Sequence, residues 1–446
     1  MALQSNRLPV EQYEANFSDI HEPFANRAEA LVEANRCLFC YDAPCTKSCP
    51  TGINVPKFIK QITTDNNKGA AHTIFSANIF GGGCSRVCPV EKLCEGACVY
   101  NLLHEKPIEI ANLQRHATQK AIEEKWPLFD RAPATGKKVA VVGAGPAGLS
   151  CAHALARAGV SVTVFEKESK GGGLMTYGVA AYKVTPEFCQ QEVDFITSVG
   201  GIDIRYNHEL GKDIYLAQLQ QQFDAVYLGI GVGLANRLYI PGEDLEGVAD
   251  AICFIYDIRT RGYAQVPVGN RVAVIGMGMT AIDAATQARR LGAEEVTMVY
   301  RRTVAEKSCT QAELNIARLD GCKMVWLAAP KEIVGENGKV TALICDQMQL
   351  GAPDFSGKPS IQPTGETIKL EVDMVIKATG QSPYEELVAQ NNIDHRRGKM
   401  LINEDSSTSV PGVFAGGDCV NGGKEVVDAV QAGKEGAAAI LKYLFP

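Results

Sequence analysis

Apolar and polar positions follow the same order twice along the chain. The stretch KKVAVVGAGPAGLSCAHALARAGVSVTVFEK is typical of a buried strand, a glycine-rich turn, a helix and a second strand. The same order returns from Arg271 in RVAVIGMGMTAIDAATQARRLGAEEVTMVYRR. Because strand, glycine turn and helix in this order form the usual dinucleotide-binding unit, the chain is predicted to hold two such units.

The N-terminal part has a different pattern, with helical stretches such as NRAEALVEANRCLFC and few β-branched runs. A turn-rich linker, RAPATG, separates it from the first dinucleotide-type unit. The closing segment is typical of a strand, a glycine turn and a long helix, and it has no sheet of its own to join. We therefore expect an α/β protein with an all-α domain over 1–133, a first Rossmann-like domain split into 134–252 and 378–446, and a second Rossmann-like domain over 253–377.

Composition narrows the class of protein. The 446 residues are 46% apolar and 21% charged, which excludes a single small module and wholesale disorder. A net charge of -7 argues against a nucleic-acid partner. The N-terminus lacks a basic region followed by an apolar stretch, and no run is apolar enough to span a membrane, so a cytoplasmic protein without membrane contact is expected.

Cysteine spacing gives the first indication of chemistry, since eight of the 15 cysteines fall within residues 37–98. A reducing compartment disfavours disulfides. The first group has the spacing C-x2-C-x4-C-x3-C-P and the second also contains Cys-Pro, which is typical of ferredoxin-like runs that bind two cubane clusters. Structural zinc is the alternative, although zinc ribbons favour paired C-x2-C knuckles without Cys-Pro. The eight candidate ligands are Cys37, Cys40, Cys45, Cys49, Cys84, Cys88, Cys94 and Cys98.

The first glycine turn is formed by Gly143, Gly145 and Gly148, and Glu166 lies 18 residues beyond the last of them. Glycine lets the backbone approach a pyrophosphate at the helix N-terminus, and the carboxylate can accept hydrogen bonds from ribose hydroxyls. A loop that merely turns the chain is the alternative. Asp418 and Lys183 are further candidates for this site. The alternatives are that Asp418 only forms a tight turn before a helix and that Lys183 is a solvated lysine. The further residues expected at this flavin-type site are Gly173, Leu174, Lys183, Gly417, Asp418 and Val426.

The second glycine turn is expected to bind a nicotinamide dinucleotide, although bulky Met277 and Met279 stand within it, and a degenerate nucleotide fold is the alternative. At the end of the next strand, Arg301 and Arg302 suit a 2′-phosphate through bidentate hydrogen bonds, which favours NADPH. A solvated basic turn is the other possibility. The residues assigned to this site are Gly276, Gly278, Thr280, Ala281, Arg301, Arg302, Ala378 and Gly380.

No motif supplies a catalytic side chain. The seven histidines show no metal-binding pair at i, i+4, and the G-x-S-x-G nucleophile motif is absent. The cysteines outside residues 37–98 form no C-x2-C or C-x4-C pair of the kind that a disulfide reductase needs beside its flavin. We expect hydride transfer from nicotinamide to flavin to require positioning rather than a protein acid or base.

The cysteine groups, the first glycine turn, the Gly416-Gly417-Asp418 turn and the second dinucleotide unit together resemble the N-terminal half of dihydropyrimidine dehydrogenase and its free-standing bacterial subunit. The small subunit of bacterial glutamate synthase has the same layout. Gln114, in PIEIANLQRHAT, favours the pyrimidine enzymes, which use a glutamine as a cluster ligand in a similar segment.

The same resemblance implies the ligands of two [4Fe-4S] clusters. Cys84 is then a bystander, whereas thiolate chemistry alone would choose Cys84 as the eighth ligand and leave Gln114 on the helix surface. The implied sets are Cys37, Cys40, Cys45 and Cys98 for one cluster, and Cys49, Cys88, Cys94 and Gln114 for the other.

The resemblance also implies an electron relay from NAD(P)H through FAD and two [4Fe-4S] clusters to a partner, an order that cofactor chemistry requires. The implied partner is an FMN-containing catalytic subunit that reduces uracil or thymine, in a heterotetramer. Bacterial pyrimidine enzymes are generally NADH-linked, and most relatives carry Asp or Asn where Met279 stands, whereas the arginine pair favours NADPH. The alternatives are a glutamate synthase large subunit or ferredoxin-type acceptor as partner, and a non-catalytic iron-sulfur adaptor.

Overall fold

The structure is a computed structural model that describes residues 3–233, 235–353 and 359–446. The chain forms two compact units. The inserted unit comprises Met1–Asp19, Tyr177–Tyr182 and Leu234–Gln381, and the main unit comprises Ile20–Thr176, Lys183–Gly233 and Ser382–Pro446. The three-domain division stays a prediction. The compact units differ from it because residues 1–19, 177–182, 234–252 and 378–381 belong to the inserted unit, and because the rest of the helical region shares the main unit with the first sheet.

Helices account for the N-terminal region and for the connections between strands. In chain order the α-helices of the described residues are α1 (Val10–Asn16), α2 (Arg27–Asn35), α3 (Pro44–Lys47), α4 (Val55–Thr63), α5 (Asn67–Ala77), α6 (Gly81–Val87), α7 (Ile110–Glu123), α8 (Pro146–Arg157), α9 (Leu174–Tyr177), α10 (Pro186–Thr197), α11 (Leu216–Gln222), α12 (Ala251–Arg261), α13 (Met279–Arg290), α14 (Gln311–Leu319), α15 (Glu385–Gln390), α16 (Asp418–Asn421) and α17 (Val426–Leu444). Short 3-10 helices cover Val90–Lys92, Val99–Leu103, Tyr263–Gln265 and Val304–Glu306.

The strands begin only after the helical N-terminal region. They are β1 (Lys138–Val142), β2 (Ser161–Phe165), β3 (Ile202–Arg205), β4 (Ala225–Leu228), β5 (Val248–Asp250), β6 (Arg271–Ile275), β7 (Glu295–Tyr300), β8 (Lys323–Trp326), β9 (Ala328–Glu336), β10 (Lys339–Pro353), β11 (Pro359–Glu371), β12 (Met374–Lys377), β13 (His395–Arg396), β14 (Lys399–Met400) and β15 (Val413–Ala415).

The main unit contains a five-stranded parallel sheet in the order β15-β4-β1-β2-β3. Strand β1 lies at its centre and is buried from Val139 to Val142, as its continuous apolar run predicts. The C-terminal strand β15 pairs with β4, so the closing segment does join the first sheet. Helix α17 packs closely on α8, since a Cβ at Gly433 would lie only 2.1 Å from the carbonyl oxygen of Ala147.

Helices α2 to α7 enclose a separate apolar core in the main unit. Phe58, Ile59, Ile74 and Leu113 are completely buried there, because the apolar faces of α4, α5 and α7 turn towards one another. Several of the clustered cysteines pack against this core. Helix α6, which carries Cys84, contacts α7, α10 and α17. Because α10 lies between β2 and β3 and α17 follows β15, these contacts join the cysteine-bearing region to helices that flank the first sheet.

The inserted unit contains a second parallel sheet, in the order β5-β12-β6-β7-β8, and a three-stranded antiparallel sheet, β11-β10-β9. The antiparallel sheet lies between β8 and β12 along the chain. The N-terminal arm completes this unit, because Tyr13 and Phe17 are buried in its core and Phe17 stacks on Tyr263 at 4.1 Å. The predicted class, a helical N-terminal part followed by two Rossmann-like sheets, is confirmed. Within the described residues, every helix is too short or too polar to cross a membrane.

Candidate functional site

Each glycine of the first turn meets a different steric demand. Gly143 has φ +100°, and a Cβ there would lie 2.4 Å from the carbonyl oxygen of Gly229. A Cβ at Gly148 would lie 1.9 Å from the oxygen of Gly143, so α8 can approach β1 only because this residue is glycine. A Cβ at Gly145, the N-cap of α8, would lie 3.8 Å from the Cα of Gly173, which is an ordinary van der Waals contact. The N-terminus of α8 is where a pyrophosphate would bind to the backbone N–H groups.

The acidic residue at the end of β2 lies against this turn. Glu166 is 6% exposed, and its carboxylate accepts hydrogen bonds from the backbone N–H of Ala144 at 2.6 Å and of Glu168 at 2.9 Å. Burial raises the pKa of this carboxyl group. The acid and the glycine turn therefore form one site, which disfavours a loop that merely turns the chain.

Two distant glycine segments also reach the first turn. A Cβ at Gly173 would lie 2.8 Å from the Cα of Gly145, and a Cβ at Gly417 would lie 2.9 Å from the Cβ of Ala147. Burial raises the pKa of Asp418, whose carboxylate accepts the N–H of Lys424 at 3.1 Å. Lys183 is 4% exposed, so it is not the solvated lysine of the alternative interpretation. Leu174 begins α9 and Val426 begins α17.

A cavity of about 630 Å³ opens at the second glycine turn, within the inserted unit. Gly276 has φ +134°, and a Cβ there would lie 2.4 Å from the carbonyl oxygen of Ala378, so the turn is held against the end of β12. The predicted site residues that line the cavity are Gly276, Gly278, Thr280, Ala281, Arg301, Ala378 and Gly380.

The arginine pair is divided by the structure. Arg301 is exposed and lines the cavity. The guanidinium group of Arg302 instead donates a hydrogen bond to the carbonyl oxygen of Pro359 at 2.6 Å, and Arg302 is not among the lining residues. One arginine of the two is therefore placed to meet a nucleotide phosphate in this cavity.

The two methionines of the second turn pack into or against the apolar core of the inserted unit. Met277 is 2% exposed and belongs to the apolar core of the inserted unit, although it also borders the cavity. Met279 packs against the same core and is not a lining residue. Gly276, Gly278, Thr280 and Ala281 border the cavity beside Met277, so the turn does present small residues there, which weakens the degenerate interpretation.

Sequence reasoning missed a buried ion-pair group beside this cavity. Lys377 lines the cavity at the end of β12, is 9% exposed, and lies 3.2 Å from the carboxylate of Glu243 and 3.3 Å from that of Asp250. Arg237 also lines the cavity and lies 3.8 Å from Glu243. These residues come from separate segments, and no local motif marks them.

Three cysteines of the first group, together with Cys98 of the second, surround a small cavity of about 30 Å³ in the helical part of the main unit. The rest of its lining is largely apolar, including Val55, Ile59 and Ile110. Burial raises the pKa of Cys45 to about 11 and shifts that of Cys37 in the same direction. The cysteines that line this cavity are Cys37, Cys40, Cys45 and Cys98.

The second cysteine group surrounds another cavity of about 30 Å³. A hydrogen bond with Cys84, together with burial, raises the pKa of Cys88, and burial raises the pKa of Cys94. Gln114 is 6% exposed, so it is not a helix-surface residue, and its Nε2 donates to the carbonyl oxygen of Gly81 at 2.6 Å. The candidate donors around this cavity are Cys49, Cys84, Cys88, Cys94 and Gln114.

The first cavity brings together four thiols, and the second brings together four thiols and Gln114. Because Cys84 lines the second cavity with the others, the eighth ligand stays a prediction. In the described part of the chain no three His, Cys, Asp or Glu side chains converge closely enough to hold a single metal ion. The thiols instead surround a space between them, and that donor set suits an iron-sulfur cluster.

Comparisons with known proteins match two regions of the chain to two families. Residues 13–126 match the family described as "Dihydroprymidine dehydrogenase domain II, 4Fe-4S cluster". Residues 137–433 match the family described as "Pyridine nucleotide-disulphide oxidoreductase". The fold of the second region resembles that of FprA from Mycobacterium tuberculosis, solved in complex with NADPH, with a TM-score of 0.60 and 20% identity over 70% of this chain and 85% of that chain.

Two curated relatives match along nearly the whole length. The glutamate synthase [NADPH] small chain of Escherichia coli (strain K12) is 33% identical, covering 98% of this chain and 96% of the relative. The NAD-dependent dihydropyrimidine dehydrogenase subunit PreT of Salmonella typhimurium is 34% identical, covering 96% of this chain and 98% of the relative. The chain therefore belongs to the family of NAD(P)H-dependent flavoprotein and 4Fe-4S oxidoreductase subunits that includes PreT and the glutamate synthase small chain.

Proposed function

We propose that this chain is the electron-input subunit of a dihydropyrimidine dehydrogenase. It oxidises NADPH and delivers single electrons, by way of two [4Fe-4S] clusters, to an FMN-containing partner that reduces uracil or thymine, in a heterotetramer. The observation that carries this proposal is the position of Gln114 among thiols at the second cavity. The pyrimidine enzymes that the chain resembles use a glutamine as a cluster ligand, and glutamate synthase tends to carry an acidic residue there.

The residues of the first turn fit FAD. The glycine turn leads into the N-terminus of α8, whose backbone N–H groups suit a pyrophosphate. The carboxylate of Glu166 keeps lone pairs free for ribose hydroxyls beside its two backbone partners. When bound, a flavin supplies the exchange between hydride and single electrons. The protein holds the two dinucleotides in place and supplies no acid or base. The residues we assign to FAD are Gly143, Gly145, Gly148, Glu166, Gly173, Leu174, Lys183, Gly417, Asp418 and Val426.

The residues around the two small cavities fit [4Fe-4S] clusters. Burial raises the pKa of Cys37, Cys45 and Cys94, and a hydrogen bond with Cys84 together with burial raises that of Cys88. Iron would offset that effect because it binds the thiolate form. At the second cavity the amide nitrogen of Gln114 is already bonded to Gly81, so the carbonyl oxygen is the atom that it can offer to iron. We assign Cys37, Cys40, Cys45 and Cys98 to the first cluster, and Cys49, Cys88, Cys94 and Gln114 to the second.

The cavity of the inserted unit fits a nicotinamide dinucleotide, and its lining favours NADPH. Arg301 supplies a fixed positive charge at the end of β7, where a site for NADH would place an acid. A guanidinium group binds a phosphate through paired hydrogen bonds. The neighbouring Arg302 is committed to the backbone of Pro359 and takes no part.

The Arg301→Gln variant tests the nucleotide preference. A hydrogen bond to a charged group contributes roughly 1.5–3 kcal/mol. We expect the KM for NADPH to rise at least about tenfold, since about 1.4 kcal/mol corresponds to a factor of ten. The KM for NADH should change much less. Steady-state reduction of an artificial acceptor measures both constants.

The Arg302→Gln variant is the matched control, because this side chain has the same charge and lies outside the cavity. The ratio of its KM for NADPH to its KM for NADH should remain that of the wild type. Equal effects of the two substitutions would show that Arg301 does not recognise the 2′-phosphate.

Substitutions at Gln114 and Cys84 test the eighth cluster ligand. After anaerobic reconstitution, Cys84→Ser should retain the iron content and both EPR signals of the wild type, because our assignment makes Cys84 a bystander. Gln114→Leu should lose or alter the signal of one cluster. The reverse pattern, with loss in Cys84→Ser and retention in Gln114→Leu, would assign the ligand to Cys84.

A glutamate synthase small chain is the second candidate function, supported by 33% identity over 98% of this chain. An assay of the purified chain with NADPH and either candidate partner distinguishes the two candidate functions. We expect NADPH-dependent loss of uracil with an FMN-containing pyrimidine partner, and no glutamate formation with a glutamate synthase large subunit. Glutamate formation without uracil reduction would reverse the assignment.

A further inference from the structure

Asn78 is a buried amide at the second cysteine cavity that none of the sites above uses. It follows α5 directly, is 0% exposed, and is one of the residues that line the cavity with Cys49, Cys88 and Gln114. Its Nδ2 atom has no hydrogen-bond partner among the described residues. A buried donor without a partner is uncommon in folded proteins, because its desolvation is not compensated.

The orientation of this amide is fixed by its other end. The Oδ1 atom of Asn78 accepts a hydrogen bond from the backbone N–H of Phe80 at 3.0 Å. Exchanging the two atoms would place an NH₂ group against that N–H, so the flipped amide is excluded. The backbone N–H of Asn78 donates to the carbonyl oxygen of Ile74 at 2.8 Å, which holds the residue at the end of α5. The donor atom is therefore Nδ2.

The other polar side chains at this cavity already have partners. The amide nitrogen of Gln114 donates to Gly81, and the hydroxyl group of Ser85 donates to the carbonyl oxygen of Gly82 at 2.6 Å. Outside the lining residues, the hydroxyl group of Thr51 lies 3.3 Å from the Sγ atom of Cys49. The amide of Asn78 remains as a side-chain donor without an acceptor among the described residues.

The chemistry of the cavity limits what that acceptor can be. Iron accepts no hydrogen bond, whereas cysteine thiolates and the sulfides of a cluster carry negative charge and do. We propose that Asn78 donates an Nδ2–H hydrogen bond to a sulfur atom of the cluster in the second cavity and so raises its reduction potential. The inference rests on the proposed function, which places a [4Fe-4S] cluster in this cavity.

The direction of the effect follows from charge. One-electron reduction adds one negative charge to the cluster, so a donor aimed at sulfur stabilises the reduced form more than the oxidised form. The first cavity lacks a comparable side-chain amide among its lining residues, and the hydroxyl group of Tyr100 there donates to the carbonyl oxygen of Arg36 at 2.8 Å. The effect should therefore be confined to one of the two clusters.

Two substitutions at Asn78 separate the donor from its role in capping Phe80. Asn78→Leu removes both functions, whereas Asn78→Asp keeps the acceptor for the N–H of Phe80 and removes the donor. In EPR-monitored redox titrations of the holoprotein, both variants should lower the equilibrium constant for one-electron reduction of one cluster by about tenfold. This corresponds to a midpoint potential that is lower by about 59 mV. The other cluster should be unaffected.

Asn66→Leu is the matched control. Asn66 is exposed and accepts the N–H of Gly69 at the opposite end of α5, so this substitution removes a comparable cap without touching the cavity. Both midpoint potentials of this variant should equal those of the wild type. Wild-type potentials in both Asn78 variants would overturn the proposal.

A measurement on the unaltered chain covers the case in which a variant fails to load clusters. Holoprotein labelled with ¹⁵N only in asparagine side-chain amides should show a ¹⁵N coupling to one reduced cluster in pulsed EPR. The absence of any such coupling, with both clusters present, would overturn the proposal and leave the proposed function intact. Iron content and EPR signals that reveal only one cluster in the wild type would instead contradict the proposed function.

Discussion

The burial of cysteine thiols around two small cavities is the constraint on which the rest of the main unit depends. Burial raises the pKa of Cys45 to about 11, and the pKa values of Cys88 and Cys94 move in the same direction. Iron binds thiolates, so the helices must hold several thiols close enough for the charge of the metal to offset that shift. The thiol positions must therefore be held by contacts from several elements of the fold.

Helices of the flavin-type half of the main unit provide much of that support. Glu192 on α10 accepts the N–H of Gly83 at 2.8 Å, next to Cys84, and burial raises the pKa of Glu192 to about 7. Lys434 on α17 donates to the carbonyl oxygen of Ala77 at 2.7 Å. Helix α17 also contributes Val427 to the second cavity, and the preceding residue, Val426, is assigned to FAD. Helix α17 therefore links the second cysteine cavity to a residue that we propose for the flavin site.

Much of this architecture could be predicted from local sequence, because strands, glycine turns and closely spaced cysteines leave their signals within a few residues of one another. The two turns and the two cysteine groups are examples. Side-chain direction could not be predicted. Met277 seemed to intrude on a phosphate turn, yet it is buried in the core, and Arg302 turns away from the cavity that Arg301 lines. The contact of Lys377 with Glu243 likewise joins distant segments.

The proposed function requires that electrons pass from a nicotinamide dinucleotide to iron-sulfur clusters within this one chain. The most direct measurement is an anaerobic titration of the purified holoprotein with NADPH and, separately, with NADH, followed by visible absorbance and EPR. We predict that NADPH bleaches the flavin absorbance and produces the signals of reduced clusters, and that it acts faster than NADH. Reduction of the clusters by dithionite, with no bleaching of the flavin by either nucleotide, would contradict the account and favour a non-catalytic iron-sulfur adaptor.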